Sequence, residues 1–435
     1  MLLIFSDTSS ARLTYILQLT LEEMLGVTYE LISDHDRYVS HLGPKMVYAH
    51  DPLPGGLFIE ASGLLFEHTI VPRDMKVKRT EGLPVIFASQ HPASALSFDP
   101  FAAAFYMVTR YEEYHSRHTD HYGRFLVTES IAFTEKFLDR PVVHEWMQQL
   151  ALQLKKTFPG LLMKPPNYRY APTIDIDHAY AYLYRPLIRT LGGIGRSMTR
   201  GEFRDIIQRI HVLTGHSPDP YDNYAYLRGV HKPFGRQVLY FILFADYGGS
   251  DNNIPVTREA LHRLLRELDR EGIVGIHPSF SSNSHPDRLE SEYTGLCGVL
   301  DRDVTLSRQH FLKISLPVTY QRLIRLGIKE DFSMGYASHT GFRAGIAMPF
   351  HFFDLLKNEV TPLIIHPVAL MDVTLKDYLR LSTEDSLEKI YALITAIKSA
   401  NGEFVSLWHN ESLGESGRWK GWRKVYEAMV RMASS

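Results

Sequence analysis

The sequence predicts an α/β protein that is built largely from parallel strands and divided into two parts. Beyond residue 166, short apolar runs alternate with amphipathic helices, a pattern that indicates βα units. The length of 435 residues exceeds what one average core holds. A stretch with three prolines at 158–166 is typical of a linker. We therefore expect an N-terminal α/β accessory domain at 1–165 and a larger domain at 166–435.

The N-terminal part begins with the pattern of a strand, a helix and a second strand. LLIF (2–5) is apolar, and ARLTYILQLTLEEMLG (11–26) places leucine and isoleucine side chains on one face before a glycine ends it. VTYELIS (27–33) then has an extended pattern. Further helices are expected at about 100–114 and 141–156.

The larger part contains apolar runs with the length of buried strands, separated by helices. The clearest helices are expected at about 257–272 and 382–402, the second with a capping box from Ser382 to Asp385. Residues 184–236 interrupt the alternation with a mostly helical insertion. The strand candidates are YAPTIDID, QVLYFILFAD, IVGIH, VTLS, TPLIIH and EFVSLWH.

The composition favours a soluble globular protein and argues against several classes of function. Apolar residues make up 45% and charged residues 22%. The net charge of −2 provides no overall basic field, so we expect neither a nucleic acid partner nor binding to an anionic membrane. Cys297 is the single cysteine, which excludes an intrachain disulfide and a cysteine zinc cluster. With 21 histidines, any metal would be bound by histidine and carboxylate.

The sequence also carries expectations about location. The first residues, MLLIFSDTSS, lack the basic start and long apolar core of a signal peptide. We find no run of about 20 apolar residues that would cross a bilayer, so we expect no transmembrane segment and a cytoplasmic protein. The sequence leaves the oligomeric state open.

Polar residues end most of the apolar runs. Ligands of parallel sheets and barrels bind at the carboxyl ends of the strands, so these residues are the candidates for a site. In TIDID, strand alternation would put Asp175 and Asp177 on one side, where their charges repel. A divalent cation on one carboxylate and an arginine on the other would offset that charge. The strand-end residues are Asp175, Asp177, Asp246, His277, Ser307, Arg308, Gln309, His310, His366, His409, Asn410 and Glu411.

Each of these signals has a plainer interpretation. TIDID could be a strand that runs into a polar turn, and His277, which precedes Pro278, could be a packed or capping residue. His409 in LWHNE suits a general acid that a carboxylate orients, and Asp372 is a candidate for that carboxylate. Asp372 could equally cap the following helix. We interpret DYGGSD (246–251) as a turn that could also contact a ligand, and YEEYHSRHTDH (111–121) as a solvated or interdomain surface.

The motifs T-I-D-I-D, G-I-H-P-S, S-R-Q-H and L-W-H-N follow one another in this order within residues 168–435. This region resembles the polysaccharide deacetylase superfamily, the NodB-homology fold of carbohydrate esterase family four. The resemblance implies a distorted (β/α) barrel, a carbohydrate substrate and a divalent metal, for which Zn²⁺ is favoured. Residues 1–165 resemble the N-terminal domain of a bacterial, especially Bacteroidetes-like, subgroup.

The resemblance also implies roles for individual residues. Asp175 would be the general base and Asp177 and His277 metal ligands, while His409 would be the acid and Asp372 its orienting carboxylate. The family's arginine that pairs with the base would be Arg308 or Arg343. The second motif, H-(S/T)-x-x-H, should end in a histidine where this chain has Ser281. A third ligand would then come from His310 as first choice, from His285 or from His366.

We therefore expect a metal-dependent hydrolase that removes acetyl groups from a carbohydrate by cleaving C–N or ester bonds. The departure at Ser281 keeps a second hypothesis open, a catalytically impaired carbohydrate-binding or scaffold protein on the same fold. A third is a glycosyltransferase in which TIDID holds Mn²⁺ and a sugar nucleotide.

Overall fold

The computed structural model describes residues 1–116, 118–235 and 237–435. In these residues the strands form a four-stranded sheet in the N-terminal part, a nine-stranded sheet in the C-terminal part and a two-stranded hairpin. The predicted α/β class is confirmed. The division at about residue 165 fits this separation of the sheets and stays a prediction.

The smaller sheet is parallel and has the strand order β2–β1–β3–β4. Helix α1 (Ala11–Leu17) begins at Ser10, whose Oγ accepts a hydrogen bond from the Leu13 amide, and continues as a π-helix over Gln18–Met24. The predicted strand–helix–strand start is thus confirmed. The strands are β1 (Leu2–Phe5), β2 (Tyr29–Ile32), β3 (Lys45–Ala49) and β4 (Leu57–Glu60).

The predicted helix at 100–114 is shorter than expected. It ends at Val108, and Arg110 adopts a left-handed backbone with φ 54° before a 3-10 turn at Tyr111–Tyr114. The buried Arg110 guanidinium donates to Glu112 and Glu113 in that turn. The other elements of this part are α2 (His35–Ser40), β5 (Lys78–Thr80), β6 (Leu83–Val85), α3 (Pro100–Val108), α4 (Ile131–Thr134) and α5 (Val142–Thr157).

The larger sheet has the order β12–β13–β11–β10–β9–β8–β7–β15–β14, and its strands are parallel except for β12. Strand β7 lies between β8 and β15, and all three bury apolar runs. The strands are β7 (Arg169–Ile176), β8 (Leu239–Ile242), β9 (Ile273–Ile276), β10 (Leu306–Ser307), β11 (Glu330–Asp331), β12 (Phe350–Asp354), β13 (Glu359–Ile365), β14 (Val368–Met371) and β15 (Glu403–His409).

Helices lie between most of these strands, as the alternation predicts. The insertion between β7 and β8 is helical, and α9 turns its leucine stripe to the core. Among the residues described, no helix has the length and hydrophobicity needed to cross a membrane. The helices are α6 (Leu187–Thr199), α7 (Phe203–Leu213), α8 (Tyr224–His231), α9 (Glu259–Glu271), α10 (Pro286–Leu300), α11 (Val318–Arg325), α12 (Thr383–Ser399) and α13 (Trp422–Ser434).

The larger sheet must curl into a barrel because two of its distant strands are joined by two residues. In a flat sheet, β13 and β14 would lie roughly 34 Å apart at about 4.8 Å per strand. Only His366 and Pro367 separate them in sequence, and such a link spans about 11 Å at most. The expected distorted (β/α) barrel is therefore confirmed, with its wall closed by a chain crossing between β13 and β14.

The N-terminal part packs on the outer strand of this barrel. Tyr15 of α1 donates its hydroxyl to the His351 carbonyl of β12 at 2.7 Å, and its ring contacts Phe353. Arg12, also in α1, donates to the Asn358 side chain at 2.8 Å. The first helix thus covers the β12–β13 edge of the larger sheet.

Candidate active site

The candidate site lies at the carboxyl ends of the barrel strands. Strand register aligns His409, the last residue of β15, with Asp175 of β7. His277 directly follows β9, and Arg308 directly follows β10, which pairs with β9. Because these parallel strands end at one edge, their terminal side chains converge there.

Asp175 forms a buried ion pair with Arg308. Arg308 Nη1 donates to Asp175 Oδ1 at 2.7 Å and to Thr173 Oγ1 at 2.6 Å. Its Nε donates to the Phe332 carbonyl at 2.8 Å, which fixes the plane of the guanidinium. The second carboxylate oxygen, Asp175 Oδ2, faces His277 Nε2 at 3.8 Å.

Gly275 in β9 leaves space for the Phe241 ring, on which Arg308 packs. A Cβ on Gly275 would lie 2.9 Å from ring atoms of Phe241 and from the Leu306 carbonyl oxygen. The Phe241 ring in turn lies under the guanidinium of Arg308, with Cζ 4.5 Å from the ring centre. Any side chain at position 275 would therefore displace the Phe241 ring from its place under the Arg308 guanidinium.

Asp177, His277 and His310 form a group whose ligand atoms all lie within 4.8 Å of one another. His277 Nε2 is 3.3 Å from Asp177 Oδ1, and His310 Nε2 is 3.4 Å from Asp177 Oδ2. His409 Nε2 lies at the margin, 3.9 Å from Asp177 Oδ2. His310 is the first choice for the third metal ligand in the sequence analysis, and in the structure it lies beside Asp177 and His277.

Hydrogen bonds at the far side of each ring aim both histidines at Asp177. His277 Nδ1 donates to the Arg308 carbonyl at 2.7 Å, and His310 Nδ1 donates to Asp251 Oδ1 at 2.9 Å. These partners assign the proton to Nδ1 when the rings are neutral and leave the Nε2 lone pairs facing Asp177. Outer partners of this kind orient histidines that bind metals.

The charges in the group shift the pKa values of His310 and Asp177. Burial alone would lower the pKa of His310, but the carboxylates of Asp177 and Asp251 outweigh it and raise the pKa to about 9. Burial alone would raise the pKa of Asp177, but His310 and His277 outweigh it and hold the pKa well below its usual range. The protonated His310 therefore balances the carboxylates of Asp177 and Asp251 in this structure, a place that a divalent cation would take.

These residues fit a divalent cation. The buried Oδ1 of Asp177 accepts no hydrogen bond from any residue that the structure describes, although a buried carboxylate oxygen normally has a donor. Two imidazole nitrogens and one carboxylate oxygen are a donor set that catalytic Zn²⁺ sites use with an open fourth position. His277 and His310 would have to be neutral to act as ligands, and their Nδ1 partners favour the required tautomer.

His409 is held by Asp372, which contacts it twice. His409 Nδ1 donates to Asp372 Oδ1 at 2.8 Å, and the His409 amide donates to Asp372 Oδ2 at 2.8 Å. Burial would lower the pKa of His409, but the carboxylate of Asp372 outweighs it and raises the pKa to about 10. Asp372 is fully buried, and it fixes the ring so that Nε2 faces the cavity.

The cluster opens into a cavity of about 160 Å³. One of its walls comes from the N-terminal part, where Arg124 donates to the Phe311 carbonyl at 3.1 Å and to the Tyr378 hydroxyl at 3.3 Å. Tyr122 of the same segment packs against Phe311, with ring centres 4.7 Å apart and the rings tilted by 42°. The lining residues beyond the cluster include Arg124, Gln309, Phe311, Leu312, Tyr378 and Glu411.

Several residues named from the sequence lie away from the cluster. Arg343, the alternative partner of the base, donates instead to Glu113 Oε2 at 2.7 Å. His366 stacks on Phe332 and donates to Glu403 at the start of β15, so its ring points to the amino ends of the strands.

His285, the second candidate for the third ligand, bonds to Ser281, the residue at the position where the family motif would have a histidine. His285 is exposed and its Nδ1 donates to the Ser281 carbonyl at 2.9 Å. The Ser281 hydroxyl accepts from Arg288 at 3.1 Å. Asp246, another residue named at a strand end, is exposed.

Sequence reasoning missed Asp251 and Arg124. Asp251 lies in DYGGSD, which reads as a turn, and the only signal was an acidic residue after a strand end. Arg124 lies in the other part of the chain, and spacing alone does not connect it with the barrel.

The comparisons with known proteins give a family match for the first part of the chain and distant likenesses to solved structures. A family of unknown function, DUF7033, matches residues 2–159. Curated proteins gave no match.

Among solved structures, the chain is similar to a Mycobacterium smegmatis protein assigned to the polysaccharide deacetylases, with a TM-score of 0.41 and 14% identity over 62% of this chain and 85% of that one. A Pseudomonas aeruginosa PAO1 protein with the same assignment is similar with a TM-score of 0.39 and 8% identity, over 62% of this chain and 88% of that one. An allantoinase is similar with a TM-score of 0.38 and 9% identity, over 61% of this chain and 87% of that one. At these scores the likenesses carry no argument about chemistry.

Proposed function

We propose that the protein is a metal-dependent hydrolase that removes acetyl groups from a saccharide. The observation that carries the proposal is the placement of Asp175 and His409 beside the group Asp177, His277 and His310, at one mouth of the barrel. A base, an acid and a three-ligand cation site are the parts that metal-assisted hydrolysis of an amide or ester needs.

A divalent cation held by Asp177, His277 and His310 would supply Lewis acidity toward the acyl oxygen and the attacking water. Asp175 is the general base. Its Oδ1 is fixed by Arg308, and its Oδ2 faces the cluster, where it takes the proton from water. Arg308 fixes the orientation of this carboxylate, which is a positioning role.

His409 is the general acid. Asp372 favours its protonated form, and the fixed ring presents Nε2–H to the departing nitrogen or oxygen of the sugar. The negative charge of Asp372 also stabilises the imidazolium before the proton is given up. Cavity walls from Phe311 and Tyr378 offer the aromatic surfaces on which sugar rings stack.

The binding-protein hypothesis depended on the missing histidine at position 281. The position of His310 supports the enzyme instead, because it supplies a third donor to the group. The glycosyltransferase hypothesis leaves the contacts of Arg308, His310 and His409 without a role.

The test combines metal content with hydrolysis of acetylated oligosaccharides. We expect the purified protein to bind Zn²⁺, and we expect Asp175→Asn to keep the metal and lose turnover. Asp177→Ala and His310→Ala should lose the metal, whereas His285→Ala and His366→Gln should keep it. Retention of full metal binding by His310→Ala, or of full activity by Asp175→Asn, would refute the assignment.

A further inference from the structure

The helical insertion exposes an unusual amount of apolar side chain. Helices α6 and α7 form a hairpin, residues 187–213, between β7 and β8. Ile188, for example, is 79% exposed. The exposed apolar residues of the hairpin are Leu187, Ile188, Leu191, Met198, Phe203, Ile207, Ile210 and Leu213.

These side chains form one stripe on each helix. On α6 they recur at intervals of four and seven residues, from Leu187 to Leu191 and on to Met198. On α7, Phe203, Ile207 and Ile210 follow the same rule. Residues spaced by three, four or seven positions share a helix face. Each helix therefore presents a continuous apolar surface to its surroundings.

The side of the hairpin that faces the protein is mostly polar, the reverse of the ordinary arrangement. The buried residues of α6 and α7 are Thr190, Ser197, Arg209 and Val212, of which Val212 alone is apolar. Asp205 of α7 accepts hydrogen bonds from Ser197 of α6 at 2.7 Å and from Tyr182 at 2.6 Å. Arg209 packs so closely on α6 that a Cβ on Gly193 would lie 2.7 Å from its Nη1. The apolar stripes are thus not needed to hold the two helices together, and a contiguous exposed apolar surface rimmed by polar residues is typical of an interaction site.

The charge of the hairpin indicates what covers it. Residues 187–213 contain five arginines and two carboxylates, although the whole chain has a net charge of −2. Arg196, Arg200 and Arg204 are exposed beside the stripes. Helices that combine an apolar face with exposed arginines lie in the interface of anionic bilayers. We propose that this hairpin docks the protein on an anionic lipid surface.

A second copy of the chain is a less suitable occupant. In a two-fold pairing the same patch meets itself, so Arg196, Arg200 and Arg204 would face their own copies. Like charges brought together across an interface oppose association. Anionic headgroups complement the same arginines.

The hairpin also contacts the segment that orients the candidate metal ligands. Arg189 of α6 donates to the Asn253 carbonyl at 3.2 Å, and its guanidinium lies 3.5 Å from the ring centre of Tyr247. The segment between these residues contains Asp251, the partner of His310. Docking would therefore hold the mouth of the barrel near the lipid. If the proposed hydrolase function holds, the favoured substrates are saccharides carried on lipids.

The experiment is co-sedimentation of the full chain with phosphatidylcholine vesicles that contain or lack phosphatidylglycerol. We expect binding to the anionic vesicles, and we expect it to weaken at high salt because exposed charges are screened. The double variant Phe203→Gln/Ile207→Gln and the triple variant Arg196→Gln/Arg200→Gln/Arg204→Gln should each weaken binding more than tenfold.

Matched controls change the same chemistry elsewhere. Leu162→Gln/Leu356→Gln alters two other exposed leucines, and Arg263→Gln/Arg270→Gln/Arg325→Gln removes three other exposed arginines. Both controls should bind as the unaltered chain does, and circular dichroism checks that every variant is folded.

Failure of the unaltered chain to bind anionic vesicles would overturn the proposal. So would a dimer in sedimentation velocity that Phe203→Gln/Ile207→Gln dissociates, because the hairpin would then be a homotypic interface. Hydrolysis of a short soluble acetylated oligosaccharide separates the two proposals. Vesicle binding without hydrolysis contradicts the proposed function alone, and hydrolysis without vesicle binding contradicts the docking surface alone.

Discussion

Asp251 accepts a hydrogen bond from Nδ1 of His310 at 2.9 Å, although 59 positions separate the two residues in sequence. Asp251 also accepts the amide hydrogen of Phe280 at 2.9 Å, so its carboxylate is itself held in place. The carboxylate determines which nitrogen of His310 faces Asp177. A metal site whose ligands are oriented in this way depends on the orienting residue almost as much as on the ligands.

Asp251→Asn should weaken the affinity for Zn²⁺ by about 10–100-fold without unfolding the protein. The neutral amide can turn its NH₂ group toward His310 and so favours the wrong tautomer. Isothermal titration with the metal measures the effect. Asp246→Asn, in the same connecting segment but exposed, is the matched control and should bind as the unaltered chain does. If both variants bound Zn²⁺ with equal affinity, Asp251 would have no role in orienting His310 for the metal.

Arg308→Met should lower the free energy of unfolding by about 3–5 kcal/mol. The reason is that Asp175 would remain as a buried carboxylate without its ionic partner. Urea unfolding measures the change, and the exposed Arg325→Met should stay within about 0.5 kcal/mol of the unaltered chain. The double variant Asp175→Asn/Arg308→Met should recover part of the loss because no unpaired charge remains. If it is no more stable than Arg308→Met, the ion pair is not the cause.

Glu113 should make stability depend on pH under acidic conditions. Burial would raise its pKa, but Arg343 and Arg110 outweigh it and lower the pKa from 4.5 to about 2. A carboxyl group with a depressed pKa in the folded state contributes stability that is full above its unfolded pKa. The contribution, about 3 kcal/mol, is lost as the pH falls from about 4.5 toward 2.

Glu113→Gln tests this contribution. Its stability deficit relative to the unaltered chain should be largest near neutral pH and should shrink as the solution is acidified below pH 4.5. Denaturant unfolding at several pH values measures it. Glu388→Gln, at an exposed position, should show no such trend. A deficit that is independent of pH would contradict the ionised state of Glu113.

Arg124→Met should reduce kcat/KM for an acetylated oligosaccharide by about tenfold, mainly by raising KM. The side chain ties the N-terminal wall of the cavity to the Phe311 carbonyl and the Tyr378 hydroxyl, so its loss loosens substrate binding and leaves the metal ligands in place. Steady-state kinetics and metal content are the two measurements. Arg263→Met is the exposed control, and a loss confined to kcat would contradict a positioning role for Arg124.

The strand-end rule explains why much of the candidate site could be predicted from the sequence. Asp175, His277 and His409 each follow an apolar run, and parallel strands bring such positions to one edge. The rule says nothing about which way a side chain turns after the strand. His366 also follows a strand, yet its ring points toward Glu403 at the opposite end of the barrel.

Other parts of the fold had no local signal. Strand β11 is two residues long, and the crossing at His366 and Pro367 that closes the barrel involves pairings far apart in sequence. The predicted VTLS strand shrinks to Leu306–Ser307, because the chain turns at once to place Arg308 and His310. That turn requires a left-handed backbone at Phe311, φ 63°, which a sequence pattern for a non-glycine residue does not indicate.

Helix α1 has a consequence for how the chain can be divided. Strand β12 is paired on one side only, and an open strand edge is a template for aggregation with other chains. Tyr15 and Arg12 of the first helix cover this edge through His351 and Asn358. A chain truncated to the barrel would leave the β12 edge exposed, where it could pair with strands of other molecules. The N-terminal residues therefore shield an edge of the sheet that carries the site.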